Sequence, residues 1–175
     1  IRLNLHFQKK LKLKMNKLIC LLIVCLAFFN CTGQEPSSFS DAALNDTFID
    51  LQGEEVTFKD ILQAHKGQTI VIDIWASWCK DCIGGMPKVK VLQQAHQEVV
   101  YIFLSLDKSQ EAWKKGIEKY DVNGTHYFMQ SGWKGDFGSF VNLDWIPRYM
   151  VIDKEGNIKV FKAVEADDKK IKDVL

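Results

Sequence analysis

Net charge is almost absent from this 175-residue chain, where 23 basic side chains meet 22 acidic ones and leave +1. That balance suggests no acidic or basic partner, though the average hides an asymmetry. The body leans the other way from a nucleic-acid binder, which needs a basic face. Arg2, Lys9, Lys10, Lys12, Lys14 and Lys17 all lie in the first 17 residues, so the remainder carries 17 basic and 22 acidic side chains, a net of −5. A membrane-spanning run is missing too: Leu18–Phe29 is apolar throughout but stops at 12 residues, where a spanning helix needs about 20. Repeats and low-complexity tracts are absent. The five cysteines are too clustered for a disulfide scaffold, with Cys20, Cys25 and Cys31 in or beside the apolar run and only Cys79 and Cys82 in the body. A structural zinc site needs four ligands, and the body has no second cysteine pair and no close pair among His65, His96 and His126. Those three histidines read as surface or loop residues. What remains is ordinary, 47% apolar and 26% charged, and fits one globular domain with a real core.

The N-terminal region reads as an address. Residue 1 is Ile and the first methionine is Met15, so translation is expected to begin there, with residues 1–14 as upstream read-through. Lys17 and the run Leu18–Phe29 match the positive end and apolar centre of an export signal. Cys31, directly after that run, is expected to carry a lipid and anchor the protein to a membrane. Cleavage after Gly33 is the open alternative, with Cys31 and Gly33 as the small residues at the −3 and −1 positions. Residues 1–33 are then signal, residues 34–44 a polar tether, and residues 45–175 the folded domain.

Within the domain, Thr47–Leu51 and Val56–Phe58 flank a turn at Gly53 and suit a hairpin. Asp60–His65 suits a helical turn ending at Gly67. Thr69–Trp75 and Val99–Leu106 are dense apolar runs, as expected of strands buried on both faces. Between them a helix runs from Cys79 or Lys80 to Gln97, with Pro87 inside it and a kink expected there. Ser109–Tyr120 reads as helix, Tyr127–Met129 as a short strand, and Ser131–Gly138 as a glycine-rich loop running into one or two helical turns over Asp136–Asn142. Arg148–Asp153 and Ile158–Val164 form a closing hairpin about Lys154-Glu155-Gly156-Asn157, and Asp167–Leu175 begins a last helix. Strands alternating with helices and ending in a hairpin predict an α/β fold with a central mixed sheet flanked by helices.

The chemistry centres on Trp75-Ala76-Ser77-Trp78-Cys79-Lys80-Asp81-Cys82. A strand ends, turns, and a helix starts at the first cysteine. The first turn of a helix has unpaired N–H groups and a partial positive charge. A thiolate there is stabilised, and in known cases the thiol pKa falls to about 3.5–7.5. Cys79 is therefore the expected nucleophile, and Cys82, one turn on, the resolving thiol of a mixed-disulfide exchange. Asp73 lies in an otherwise apolar strand, where burial raises a carboxyl pKa, and it is a candidate acceptor for the Cys82 proton.

Val71-Ile72-Asp73-Ile74-Trp75-Ala76-Ser77-Trp78-Cys79-Lys80-Asp81-Cys82, with Met86-Pro87 and the segment Ile146-Pro147-Arg148 to Gly156, resembles the thioredoxin superfamily, in particular its exported, membrane-tethered TlpA/ResA-like redoxins. The resemblance covers residues 45–165. It implies a thioredoxin fold with an N-terminal hairpin extension, a cis Ile146–Pro147 bond beside the cysteines, and pairing of an extended substrate with the Ile146 backbone. Trp75, Trp78 and Trp145 would form an apolar collar, Trp78 touching substrate. It further implies a thiol–disulfide oxidoreductase of the reductase type in the periplasm or cell envelope. Its substrates would be protein thiols and disulfides, a partner dithiol would donate the electrons, and the chain itself would need no metal or other cofactor. Lys80-Asp81 departs from the Gly-Pro of thioredoxin, and the charges of Lys80 and Asp81 act on a Cys79 thiolate with opposite sign. A thiol peroxidase is the alternative enzyme, but Ile72 and Ala76 stand where the pattern Pro-x-x-x-Thr/Ser-x-x-Cys needs proline and a hydroxyl. A non-catalytic peptide-binding module is the other alternative, and it has no need of two cysteines.

Overall fold

Six consecutive residues, Ile70–Trp75, are buried without exception and form the strand β3. Their β-branched and aromatic side chains suit a strand covered on both faces. A computed structural model describes residues 35–175. In it β3 lies inside a seven-stranded sheet with β1 (Thr47–Ile49), β2 (Glu55–Thr57), β4 (Val100–Ser105), β5 (Thr125–Phe128), β6 (Arg148–Ile152) and β7 (Ile158–Ala163), ordered β2-β1-β5-β4-β3-β6-β7. β3 pairs with β4, and β4 with β5, in parallel; the pairs β3–β6, β6–β7, β1–β2 and β1–β5 are antiparallel. This is the mixed sheet of a thioredoxin fold.

The helices are α1 (Asp41–Asn45), α2 (Phe58–Ala64), α3 (Lys80–Ala95), α4 (Gln110–Tyr120), α5 (Asp136–Phe140) and α6 (Lys169–Lys172). Each parallel pair is joined through a helix, β3 to β4 by α3 and β4 to β5 by α4, because a chain that must return in the same direction needs a crossover. Side chains alternate across a sheet, so contacts assign the helices to faces. On the face of Asp73, Tyr101 and Phe128, α3 accepts a hydrogen bond from the Tyr101 hydroxyl at the Leu92 carbonyl, and α4 sets Trp113 against Phe128. On the opposite face Phe48 of β1 packs against Phe58 of α2 and Phe137 of α5. α3 turns Cys82, Met86, Val89 and Leu92 inward at helical spacing and runs on through Pro87.

Local signals set the boundaries. Thr57 and Asp60 form a reciprocal capping box that starts α2 at Phe58, two residues before the expected Asp60. Ser109 caps α4, and Asp121 ends it in the left-handed region at φ 50°. β5 begins at Thr125 rather than Tyr127. The expected loop Ser131–Gly138 contains a 3₁₀ turn at Gly132–Lys134, and α5 already begins at Asp136.

Within the expected tether over residues 34–44, the part from Ser37 onward packs on the domain. Phe39 packs its ring against Phe58, Phe137 and Phe140, Ala43 is fully buried in α1, and the Ser37 carbonyl accepts a hydrogen bond from the Ile158 amide. A polar average concealed one aromatic anchor, which a flexible tether would not bury. Cys31 and the apolar run Leu18–Phe29 lie outside the described residues.

Candidate active site

Strand β3 ends at Trp75, and the turn Ala76–Trp78 delivers Cys79 to the N-cap of α3. The Cys82 amide, one turn in, donates a hydrogen bond to Cys79 Sγ at 3.1 Å. This is the capping interaction that a polar side chain normally supplies, here made to sulfur. The two sulfurs are bonded as a disulfide with Cα atoms 5.3 Å apart. Cys79 is 6% exposed and Cys82 1%, so a partner reaches the first sulfur before the second.

The turn is braced from β4. Asp107 receives the Ser77 amide, the Ser77 hydroxyl and the Ser105 hydroxyl, at 3.1, 2.6 and 2.8 Å respectively. α4 closes against the same turn at Gly116, where an added Cβ would stand 2.4 Å from Ser77 Cβ. From the other side comes the chain before β6. The Ile146–Pro147 bond is cis, and the Ile146 carbonyl oxygen lies 3.7 Å from Cys79 Sγ. Fully buried Arg148 holds this segment by donating to the Val141 carbonyl at 2.6 Å, to the Asn142 carbonyl at 3.4 Å, and to Asp144, which also pairs with Lys162 at 2.9 Å.

Asp73, in the middle of β3, is buried, and neither carboxyl oxygen has a hydrogen-bond partner among the described residues. Burial pushes its pKa up to about 8, because the anion has lost its water. The nearby Tyr149 phenol favours the anion and opposes that rise, but does not offset it. Burial likewise lifts the Tyr149 phenol above its ordinary range, and the Asp73 charge adds to the rise.

The expected residues separate into two groups. Cys79, Cys82, Ile146 and Pro147 meet at one point, with Trp78 and Trp145 beside them at 52% and 58% exposure. Trp75 does not join the collar: it is fully buried in the core, because the inward face of a central strand has no route to the rim. A third rim tryptophan, Trp133, was not expected. It lines a cleft of about 380 Å³ with Trp78, Cys79, Asp144, Trp145 and Ile146. It sits in a glycine-rich turn where no periodicity marks it. Arg148 and Asp107 also escaped notice, since a charged residue in sequence reads as exposed until a partner is seen. His126 corrects a further expectation: it lies buried on β5, stacked on Phe103, with burial lowering its pKa.

The chain matches the thioredoxin-like family over residues 67–158, from just before β3 to the first residue of β7. It is 26% identical to the thiol-disulfide oxidoreductase ResA of Bacillus cereus over 160 residues, covering 83% of this chain and 87% of that relative. It is 27% identical to the thiol:disulfide interchange protein DsbE of Pasteurella multocida, covering 87% of this chain and 86% of that one. In structure it is similar to a thiol:disulfide interchange protein from Bacteroides, with a TM-score of 0.59 and 26% identity over 77% of this chain and 85% of the other. The matched segment is more than half of the chain and contains the cysteine pair, the cis proline and the strands between them. The chain therefore belongs to the thioredoxin-like family, and its Cys79–Cys82 pair makes it a thiol–disulfide oxidoreductase.

Proposed function

We propose that this protein reduces disulfides of exported proteins, with Cys79 as nucleophile, Cys82 as resolving thiol and Asp73 as proton acceptor. The observation that supports this most is the setting of Cys79 Sγ. It caps α3, is bonded to Cys82, and lies 3.7 Å from the carbonyl of Ile146 at a cis-proline bond.

In the dithiol form, the positive end of α3 stabilises a Cys79 thiolate. That thiolate attacks one sulfur of a substrate disulfide and forms a mixed disulfide, and the other substrate sulfur leaves as a thiolate. The Cys82 thiol gives its proton to the Asp73 carboxylate. The Cys82 sulfur then attacks Cys79 Sγ, releases the second substrate sulfur and closes the Cys79–Cys82 disulfide. Two electrons have passed to the substrate. A partner dithiol returns them by the same exchange run from its side. The substrate segment lies extended along Ile146–Pro147, its backbone pairing with Ile146 and its side chains against Trp78. Export follows from the Lys17 and Leu18–Phe29 pattern, and lipid attachment at Cys31 would hold the domain at the cell envelope.

Direction is tested by equilibrating the Cys79/Cys82 couple with glutathione or dithiothreitol. A potential near about −270 mV supports reduction, and one near about −120 mV would make the protein an oxidant instead. Metabolic labelling with radioactive palmitate tests the anchor, and loss of label in Cys31→Ser supports it.

A further inference from the structure

Asp73 and Tyr149 are cross-strand partners in the β3–β6 pair. They belong to one row across the sheet, His126, Phe103, Asp73, Tyr149 and Ala163, each aligned with the next. Phe103 closes the β4 side of Asp73 with an apolar ring. On the β6 side stands the Tyr149 hydroxyl, buried and, like both Asp73 oxygens, without a hydrogen-bond partner among the described residues. A Cβ placed on Gly85 would lie 3.5 Å from that hydroxyl, which sets it under the second turn of α3, the helix that carries Cys82. Tyr149 also lines a groove with Gly84, Gly85, Lys88, Pro147 and Glu165. The exchange steps assign this phenol nothing. Phenylalanine would fill nearly the same volume without leaving a buried hydroxyl unpaired, which costs about 1–3 kcal/mol.

We propose that Tyr149 is a positioning residue for the active-site acid: its hydroxyl closes onto Asp73 when the carboxyl ionises, and so sets the pH at which Asp73 can accept the Cys82 proton. The proposal rests on the role of Asp73 given above. Tyr149 keeps its own proton throughout. The proton that moves goes from Cys82 Sγ to an Asp73 oxygen, and the sulfur retains the electron pair it uses on Cys79. In the disulfide form described here the two groups make no hydrogen bond to each other. Burial raises the Asp73 pKa and the phenol opposes that rise, the sign of a donor that favours the anion.

From α3 come Cys79 and Cys82, with Lys80 and Asp81 lining the same groove as Tyr149 and Lys88 bound to Glu165 and Asp167 at 2.5 and 3.1 Å. Glu165 and Asp167 lie beyond β7 and both raise the Tyr149 pKa, which keeps the phenol a donor. From β5, His126 is separated from Asp73 by Phe103.

The test follows the Asp73 carboxyl by ¹³C resonance in the full-length disulfide protein across pH. Tyr149→Phe should raise its midpoint by about one pH unit, the equivalent of one hydrogen bond. The pH profile of mixed-disulfide resolution should rise with it. In an Asp73→Asn background, Tyr149→Phe should leave that profile unchanged. An unmoved Asp73 midpoint in Tyr149→Phe overturns the proposal, whatever Asp73→Asn does. A moved midpoint with resolution unaffected by Asp73→Asn overturns the role of Asp73 instead, and leaves the Tyr149–Asp73 coupling standing. A second measurement needs no substitution: the Tyr149 hydroxyl proton should shift downfield as Asp73 ionises, and a constant shift counts against the coupling.

Discussion

Cys79 Sγ lies 3.7 Å from the carbonyl oxygen of Ile146, a residue 67 positions further along the chain. The first position is set by the start of α3 and the second by the cis bond at Pro147. On the proposed function, they define between them where a substrate sulfur and a substrate backbone arrive together. Neither half suffices, because a reactive thiol without a pairing edge has no means of orienting its target.

The two sulfurs should fail differently. Cys79→Ser should abolish disulfide exchange in an insulin-reduction assay, since no mixed disulfide can begin. Cys82→Ser should keep the attack and lose the release. It should then accumulate covalent adducts visible on non-reducing gels. Equal adduct formation by both variants would reverse or cancel the assigned roles.

Asp73 should leave a mark on stability against pH. Its folded pKa, about 8, lies above the ordinary carboxylate value, so the native state holds the proton more tightly than the unfolded chain. The stabilisation is therefore fully present below about pH 4, is lost as pH rises, and levels off above about pH 8. Guanidinium unfolding of the disulfide form should show a fall of a few kcal/mol across that window. Asp73→Asn should remove that slope and slow mixed-disulfide resolution.

Gly116 is a packing position for the active-site turn. Alanine there would bring its Cβ within 2.4 Å of Ser77 Cβ, so α4 or the turn before Cys79 must move. The expected cost is about 1–3 kcal/mol. Activity should fall further than stability alone accounts for, read by comparing exchange rates at temperatures where the variant stays folded.

Arg148 anchors the cis-proline segment from below. Arg148→Met keeps most of the volume but strips the donors from the Val141 and Asn142 carbonyls and from Asp144. Asp144 is largely solvated, so most of the expected loss of about 3 kcal/mol comes from the orphaned carbonyls. Chemical denaturation should show it, together with weaker substrate binding as the Ile146 edge loosens.

Much of this arrangement was legible along the chain, because its signals are local. The apolar runs around Ile70–Trp75 and Val100–Ser105 mark central strands, and Cys79 stands where a strand gives way to a helix. Asp73 stood out by being the one charge in its strand. Phe39 did not stand out, since a single aromatic in a polar stretch reads as exposed until Phe58, Phe137 and Phe140 are seen around it. Trp133, Arg148 and the phenol of Tyr149 were hidden for the same reason: each acquires its meaning from a residue on another element.

The sequence by itself determined the chemistry, because two cysteines one turn apart at a helix start bring their own reactivity with them through backbone geometry. Only the tertiary structure decided what surrounds that chemistry: which tryptophans reach the rim, which arginine holds the proline segment, and that a tyrosine faces the buried acid. Those are contacts between strands and helices distant in the chain, and neighbours across a sheet follow from register, which no short stretch of sequence encodes alone.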